Sequence, residues 1–105
     1  MQILHLAFRT QWAEARTAGT YGWSTRGVTV EQEGFVHASR PDQVEGVRSR
    51  FYGDVDPADL VLLVVETDLL DVPWRFDRVG DDEFPHVYGP IPASAVVGTL
   101  DVTVA

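Results

Sequence analysis

The sequence predicts an α+β domain in which a split or curved, mostly antiparallel β-sheet packs against two main helices. Two observations support this fold class. Short apolar stretches of strand character recur along most of the chain, whereas helical spacing of apolar residues occurs in only two stretches, both in the first half. The 105 residues contain no repeat, linker or low-complexity segment, so we expect a single domain over residues 1–105.

The chain begins with a predicted strand and a predicted helix. Residues 2–8 form a short apolar run that is typical of a buried strand. Residues 11–18 are rich in helix formers, with Thr10 placed as the N-cap. Gly19 is placed to end this helix in a left-handed conformation.

A loop, a strand and a second helix are predicted next. Residues 20–33 follow neither periodicity, and their glycine, serine and threonine residues indicate a loop of about a dozen residues, with a short strand at residues 21–23 as an alternative within it. Residues 34–38 have strand character, and residues 43–52 have helical spacing with Ser39 as the cap. The apolar side chains expected to face inward on this helix are Val44, Val47 and Phe51.

The second half of the chain is predicted to consist mainly of strands. Residues 60–65 are apolar at every position, which indicates a central strand covered on both faces. Residues 74–79 nearly alternate between apolar and charged side chains, so one face of that strand should be solvated. Pro85 interrupts residues 84–88, which favours an edge strand or an irregular segment because proline cannot donate to a β-ladder. The remaining predictions are one helical turn over residues 93–96 and a final strand over residues 97–104.

Composition and charge narrow the classes of partner. The net charge of −8 argues against a broad nucleic-acid surface, which needs a basic footprint, although the eight arginines allow a local basic patch. There is no cysteine for a disulfide or a thiolate site, and the first residues lack the pattern of a secretory signal. The longest apolar run, residues 60–65, is too short to span a bilayer. We therefore expect a soluble cytoplasmic protein without a nucleic-acid or membrane partner, and the sequence does not indicate its oligomeric state.

The three histidines of the chain all lie within short apolar stretches. They are His5, His37 and His86. Because such stretches predict strands, we expect these strands to bring the three rings toward one cleft. The alternative is that the histidines are hydrogen-bonded residues of the core.

Two of these stretches have the same pattern of side chains along one strand face. Because successive side chains alternate between faces, every second residue shares a face. On the first stretch these residues are Phe35, His37 and Ser39, and on the second they are Phe84, His86 and Tyr88. An aromatic ring next to an imidazole on each strand indicates a cleft for a flat polar ligand. Gly89 follows directly and would let the backbone approach that ligand closely.

Other common kinds of site are disfavoured by spacing. The histidines occur singly, without the close spacing of most metal-binding pairs, so we predict no metal site, although three converging imidazoles can bind zinc. Ser39 lacks the glycine pattern of a nucleophile elbow. Gly22 and Gly27 match no phosphate-binding loop or dinucleotide fingerprint.

Taken together, these motifs resemble the domain-of-unknown-function family 952. The resemblance covers nearly the whole chain in order. It is carried by His5, Trp12, residues 33–39, Gln43, residues 60–65 and residues 84–90.

The resemblance also has implications for the fold and the site. Family 952 is more distantly similar to the ADP-ribosyltransferase superfamily, which implies a split, curved sheet and NAD or an ADP-ribose compound as the ligand. By this similarity His5 would hold the ribose, and His37 with Ser39 would flank the nicotinamide. The third catalytic position would fall at His86, where that superfamily commonly has a glutamate. Further ligand-binding candidates are Trp12, Phe35, Gln43, Phe84, Tyr88 and Gly89.

Three functions are therefore considered. The first is an enzyme of the ADP-ribosyltransferase type with His5, His37 and His86 as catalytic residues and NAD as the cofactor. The second is a non-catalytic module that binds a nucleotide or another small metabolite in the same cleft. The third is a structural or interaction domain in which the histidines are part of the core.

Overall fold

The computed structural model describes residues 1–102, which form four antiparallel β-sheets with three α-helices. Most of the chain belongs to two three-stranded sheets, whose strand orders are β1-β6-β10 and β5-β8-β7. The strands are β1 (Gln2–Phe8), β2 (Thr20–Tyr21), β3 (Trp23–Thr25), β4 (Val28–Thr29), β5 (Val36–His37), β6 (Leu60–Glu66), β7 (Trp74–Val79), β8 (Asp82–Val87), β9 (Ile91–Pro92) and β10 (Val96–Asp101). The helices are α1 (Arg9–Ala18), α2 (Val30–Glu33) and α3 (Val44–Phe51). The predicted α+β class and mostly antiparallel pairing are confirmed.

The first sheet is built around β6, as its continuous apolar sequence predicts. β6 pairs with β1 on one side and with β10 on the other. Val61, Leu63 and Val65 are almost completely buried and form the centre of the larger core cluster. Each such side chain removed from water contributes about 1.5–3 kcal/mol to stability.

The second sheet places β8 in its centre, so the prediction of an edge strand around Pro85 is wrong. β8 pairs with β7 along its whole length but with β5 only at Val36–Val87 and His37–His86. The carbonyl of Pro85 accepts a hydrogen bond from the amide of Ala38, 2.9 Å away, just after β5 ends. Proline is tolerated there because the short β5 needs no donor from that position.

A single bridge between β1 and β5 connects the two sheets. Leu4 and Ser39 exchange two main-chain hydrogen bonds of 2.9 and 2.7 Å. No longer ladder joins the two sheets within the part of the chain that the structure describes. The sheet is therefore split at this point. A split sheet is one of the two alternatives, split or curved, that the sequence predicts.

Residues 20–33, predicted to be a loop, are regular structure. β2 pairs with β9, β3 pairs with β4, and α2 follows. Thr29 and Gln32 form a reciprocal capping box that begins α2. The elements are only two to four residues long, too short for a periodic pattern to be detected.

The first helix begins earlier than predicted. α1 starts at Arg9, so Thr10 lies inside it rather than at the cap. Gly19 ends α1 with φ of 95°, which confirms the predicted left-handed stop.

The second main helix, α3, differs from its prediction near both ends. Ser39 does not cap it, because a 3₁₀ turn (Pro41–Gln43) comes first and the Gln43 side chain accepts a hydrogen bond from the Arg40 amide. Phe51, predicted to face inward, is 53% exposed.

The final strand ends at Asp101, and positions 103–104 of the prediction lie outside the described residues. A 3₁₀ turn (Ala93–Ala95) occupies most of the predicted helical turn before it. No helix within residues 1–102 is long and apolar enough to cross a membrane.

Candidate functional site

A cavity of about 440 Å³ lies next to the junction of β1 and β5. We call it the split-sheet cavity. β1, β3 and β5 contribute to its wall, α3 and the preceding 3₁₀ turn cover another part, and the adjoining ends of β7 and β8 complete it. Its size lies within the range of small-molecule sites.

The split-sheet cavity includes five of the ten predicted site residues. Those that line it are His5, His37, Ser39, Gln43 and Phe84. Those that do not are Trp12, Phe35, His86, Tyr88 and Gly89. Val36 and Ala38 are buried in the core, as predicted, but Ala38 also lines the cavity together with His37 and Ser39.

His5 is a buried ring whose two nitrogens both have protein partners. Its Nδ1–H donates to the main-chain carbonyl of His37, and its Nε2 accepts from the Tyr21 hydroxyl at 3.0 Å. This pairing fixes the neutral tautomer with the proton on Nδ1. Burial lowers the pKa of His5 to about 4, because the charged ring would lose its hydration. His5 thus holds β5 in place, and neither nitrogen is free for a ligand in this arrangement.

His37 is the accessible imidazole of the cavity. Its side chain is 40% exposed, and its Nε2 lies 3.1 Å from Oε1 of Glu33. Glu33 is the last residue of α2, and the left-handed Gly34 turns the chain from there toward β5. The carboxylate of Glu33, four residues before His37 in the chain, therefore orients the imidazole of His37.

His86 is a buried ring that does not line the split-sheet cavity and is hydrogen-bonded on β7 instead. Its Nδ1–H donates to Asp77 Oδ2 at 2.8 Å, and the same oxygen accepts from the Tyr88 hydroxyl. Arg75 donates to the other oxygen of Asp77 at 2.8 Å. The Tyr88 and Arg75 hydrogen bonds lower the pKa of Asp77, whereas burial lowers the pKa of His86. Nε2 of His86 has no hydrogen-bond partner within residues 1–102.

The ring of Phe35 connects the two histidine strands. It stacks on His86 with ring centroids 4.1 Å apart and meets the edge of His37 at 4.8 Å. The centroids of the two imidazoles are 5.1 Å apart. Phe35 thus forms one cluster with His37, His86 and Tyr88, and it covers His86 instead of lining the cavity. Phe84, predicted to lie beside His86, lines the cavity.

Gln43 lines the cavity with an amide group that is already used. Its Nε2 donates to Asp82 Oδ2 at 3.0 Å and to the carbonyl of Glu83 at 2.8 Å, while Oε1 accepts from the Arg40 amide. These bonds attach the start of α3 to β8. The hydrogen bond from Gln43 also lowers the pKa of Asp82.

Trp12 and Gly89 lie elsewhere. Trp12 packs against the core and lines a separate groove with Arg16 and the start of β10. Gly89 is packed against Val72, and a Cβ added to Gly89 would come 2.7 Å from a methyl carbon of Val72.

Several polar residues near these clusters were not predicted. Two of them, Ser24 and Arg50, line the split-sheet cavity, and two others, Glu33 and Asp77, hold the histidines. Asp77 could have been found from the β7–β8 hairpin, since the turn at residues 80–81 sets it opposite Phe84 on the face that carries His86. The other three had no sequence signal, because their places depend on how α2, β3 and α3 pack.

The lining of the split-sheet cavity mixes apolar and polar groups. No group of three or more potential metal ligands occurs among residues 1–102. The split-sheet cavity instead combines apolar walls with an imidazole and hydroxyl groups, the mixture typical of small-molecule sites.

Comparison with known proteins identifies structural relatives. A search of curated proteins finds no match. The crystal structure of protein CC0527 from Caulobacter crescentus is 26% identical and superposes with a TM-score of 0.81, over 100% of this chain and 89% of that chain. A double-mutant crystal structure of CC0527 gives 28% identity and a TM-score of 0.76 over the same shares of the chains. Its solution structure gives 30% identity and a TM-score of 0.70, over 95% of this chain and 83% of that chain.

The family model for the protein of unknown function DUF952 matches residues 6–99. This range includes the last three residues of β1, all of β5 and β8, and every residue of the split-sheet cavity except His5. The chain therefore belongs to the DUF952 family.

Proposed function

We propose that the domain binds a nucleotide-like small molecule in the split-sheet cavity. The observation that carries this proposal is the accessible imidazole of His37 on the wall of a cavity of about 440 Å³. The resemblance to ADP-ribosyltransferases makes NAD or an ADP-ribose compound the first ligand to test.

The chemistry of the lining supports a ligand with both a ring and a sugar. Phe84, Val47 and Leu6 provide apolar surface for a flat ring. Ser39 and His37 provide polar atoms for hydroxyl or amide groups. A nucleoside combines a flat ring with hydroxyl groups, so this mixture of lining residues supports it as a ligand.

One observation favours a second candidate, an enzyme that transfers an ADP-ribosyl group. Cleaving the bond between nicotinamide and ribose requires positioning of the sugar and a group that stabilises developing positive charge. The resemblance places no glutamate at the third catalytic position, but the carboxylate of Glu33 lies 3.1 Å from His37 Nε2. Glu33 is therefore the candidate for the stabilising group, with His37 as the residue that contacts the ligand.

The test begins with the melting temperature of the protein with and without millimolar NAD, ADP-ribose and nicotinamide. Binding to the folded state should raise the melting temperature progressively with ligand concentration. The His37→Ala variant should lose this shift, whereas Trp12→Phe, which changes the separate groove, should retain it. The absence of a shift with all three compounds would overturn the proposal and favour a structural role.

The enzyme candidate needs a separate readout. We expect nicotinamide release from NAD by the wild-type protein, and a rate at least about tenfold lower for Glu33→Gln. Binding without release would leave the domain as a nucleotide-binding module.

A further inference from the structure

Three arginines of this acidic protein have no acidic partner within residues 1–102. The five that form ion pairs there are Arg9, Arg26, Arg40, Arg48 and Arg75. The three that form none are Arg16, Arg50 and Arg78. Of these three, only Arg50 lines the split-sheet cavity.

Arg50 lies in the last turn of α3, at the cavity wall. Its guanidinium carbon is 6.0 Å from the ring centroid of Phe51, which also lines the cavity. This distance is at the outer limit of a cation–π contact, so the ring holds the group only loosely. Its planar set of N–H donors matches the oxygens of a phosphate or a carboxylate.

The two acidic residues of the lining do not neutralise Arg50. Asp42 and Asp82 both pair with Arg40, at 3.2 and 3.1 Å, on the side of the cavity formed by the 3₁₀ turn and β8. Asp82 also accepts a hydrogen bond from Gln43. Since these carboxylates pair with Arg40, neither forms an ion pair with Arg50, and the positive charge of Arg50 remains available at the cavity.

We infer that Arg50 recognises a phosphate group, so that the ligand of the split-sheet cavity is a phosphorylated sugar or nucleotide. The inference rests on the proposed function for the identity of the site, and it adds the chemical class of the ligand and the residue that selects it. The phosphate can be the monoester of a mononucleotide or the diphosphate of a dinucleotide, since both present the same oxygens to a guanidinium.

The test compares matched ligands with and without phosphate. Titration calorimetry measures the dissociation constants of AMP, adenosine, ribose 5-phosphate, pyrophosphate and NAD for the wild-type protein. The same titrations are made with Arg50→Gln and with Arg16→Gln, which removes an arginine that lines only the separate groove. Circular dichroism and the melting temperature check that both variants are folded.

We expect AMP to bind at least about tenfold more tightly than adenosine, with binding that weakens as salt is added. Arg50→Gln should weaken AMP binding by about ten- to a hundredfold and leave adenosine unchanged, whereas Arg16→Gln should change neither. Tighter binding of NAD than of AMP would identify the diphosphate as the recognised group, and the reverse order would identify the monoester.

Two results would overturn the inference. One is equal affinity of AMP and adenosine, and the other is unchanged affinity for every phosphorylated probe in Arg50→Gln. If adenosine and AMP bind equally well, the proposed nucleotide site stands without phosphate recognition. A third pattern is that Arg50→Gln weakens the binding of ribose 5-phosphate and pyrophosphate, while AMP and NAD bind the wild-type protein no more tightly than these two compounds. In that case the anion site stands and the proposed nucleotide function fails.

Discussion

The side chain of His5 donates a hydrogen bond to the main-chain carbonyl of His37, so a residue of the first sheet holds the strand that carries the accessible imidazole. His5 is anchored in turn by the Tyr21 hydroxyl at 3.0 Å. Next to this contact, Leu4 and Ser39 form the only bridge between the two sheets within residues 1–102. The position of His37 at the cavity therefore depends on a buried neutral histidine.

The first prediction concerns the stability of this junction. His5→Phe should lower the free energy of unfolding by about 2–4 kcal/mol, because the His37 carbonyl and the Tyr21 hydroxyl would both be buried without a partner. Tyr21→Phe removes only one hydroxyl and should cost about 1 kcal/mol. Urea denaturation of the two variants and of the double variant measures the coupling between them. Strictly additive effects would show that the two side chains do not act together.

The second prediction concerns pH. The pKa of His5 is about 4 in the folded protein, below its ordinary value near 6.5, so the unfolded chain binds more protons between these values. The free energy of unfolding should therefore fall on acidification through this window, by at most about 3 kcal/mol from His5. The lowered pKa of His86 acts in the same direction. Urea denaturation at several pH values between about pH 5 and about pH 7 gives the free energy of unfolding as a function of pH. This free energy should change less steeply with pH in His5→Phe than in the wild type, and equal pH dependence would contradict a lowered pKa of His5.

Much of the fold could be predicted because its longer elements carry clear patterns. The continuous apolar run of β6 identified the centre of the first sheet, and Gly19 identified the end of α1. The prediction failed where tertiary contacts override local preference. Pro85 lies in a central strand because β5 is only two residues long, a length that the sequence does not reveal.

The site was harder to predict than the fold. Alternation along one strand placed Phe35 beside His37, where the two rings meet, because a face shared by every second residue is a local property. The stacking of Phe35 on His86, which lies on another strand, was not predicted. Alternation cannot say which side of a ring remains open to a ligand. His37 lines the cavity together with residues of β3 and α3, whereas His86 lies under Phe35. Both placements depend on contacts between elements that are distant in sequence.

The third prediction separates the two roles of His37. His37→Ala should change the free energy of unfolding by less than about 1 kcal/mol, because the side chain is 40% exposed and the carbonyl bonded to His5 is retained. The variant should nevertheless lose binding of any ligand that raises the melting temperature of the wild type. Glu33→Gln keeps a hydrogen-bonding partner for the ring and should bind that ligand within about threefold of wild type. A large loss of stability in His37→Ala would instead assign the residue to the core.

The fourth prediction concerns Gly89, which the sequence indicated as a ligand contact. Its φ is 155°, and an added Cβ would lie 2.7 Å from Cγ1 of Val72, so Gly89→Ala should destabilise the domain by about 1–3 kcal/mol. Val72→Ala shortens the opposing side chain, and the double variant should be less destabilised than the sum of the two single variants, because the clash is relieved. Chemical denaturation gives these three values. A Gly89→Ala variant that is as stable as the wild type but does not bind the ligand would contradict this prediction. It would show that Gly89 contacts the ligand and that packing against Val72 does not require glycine.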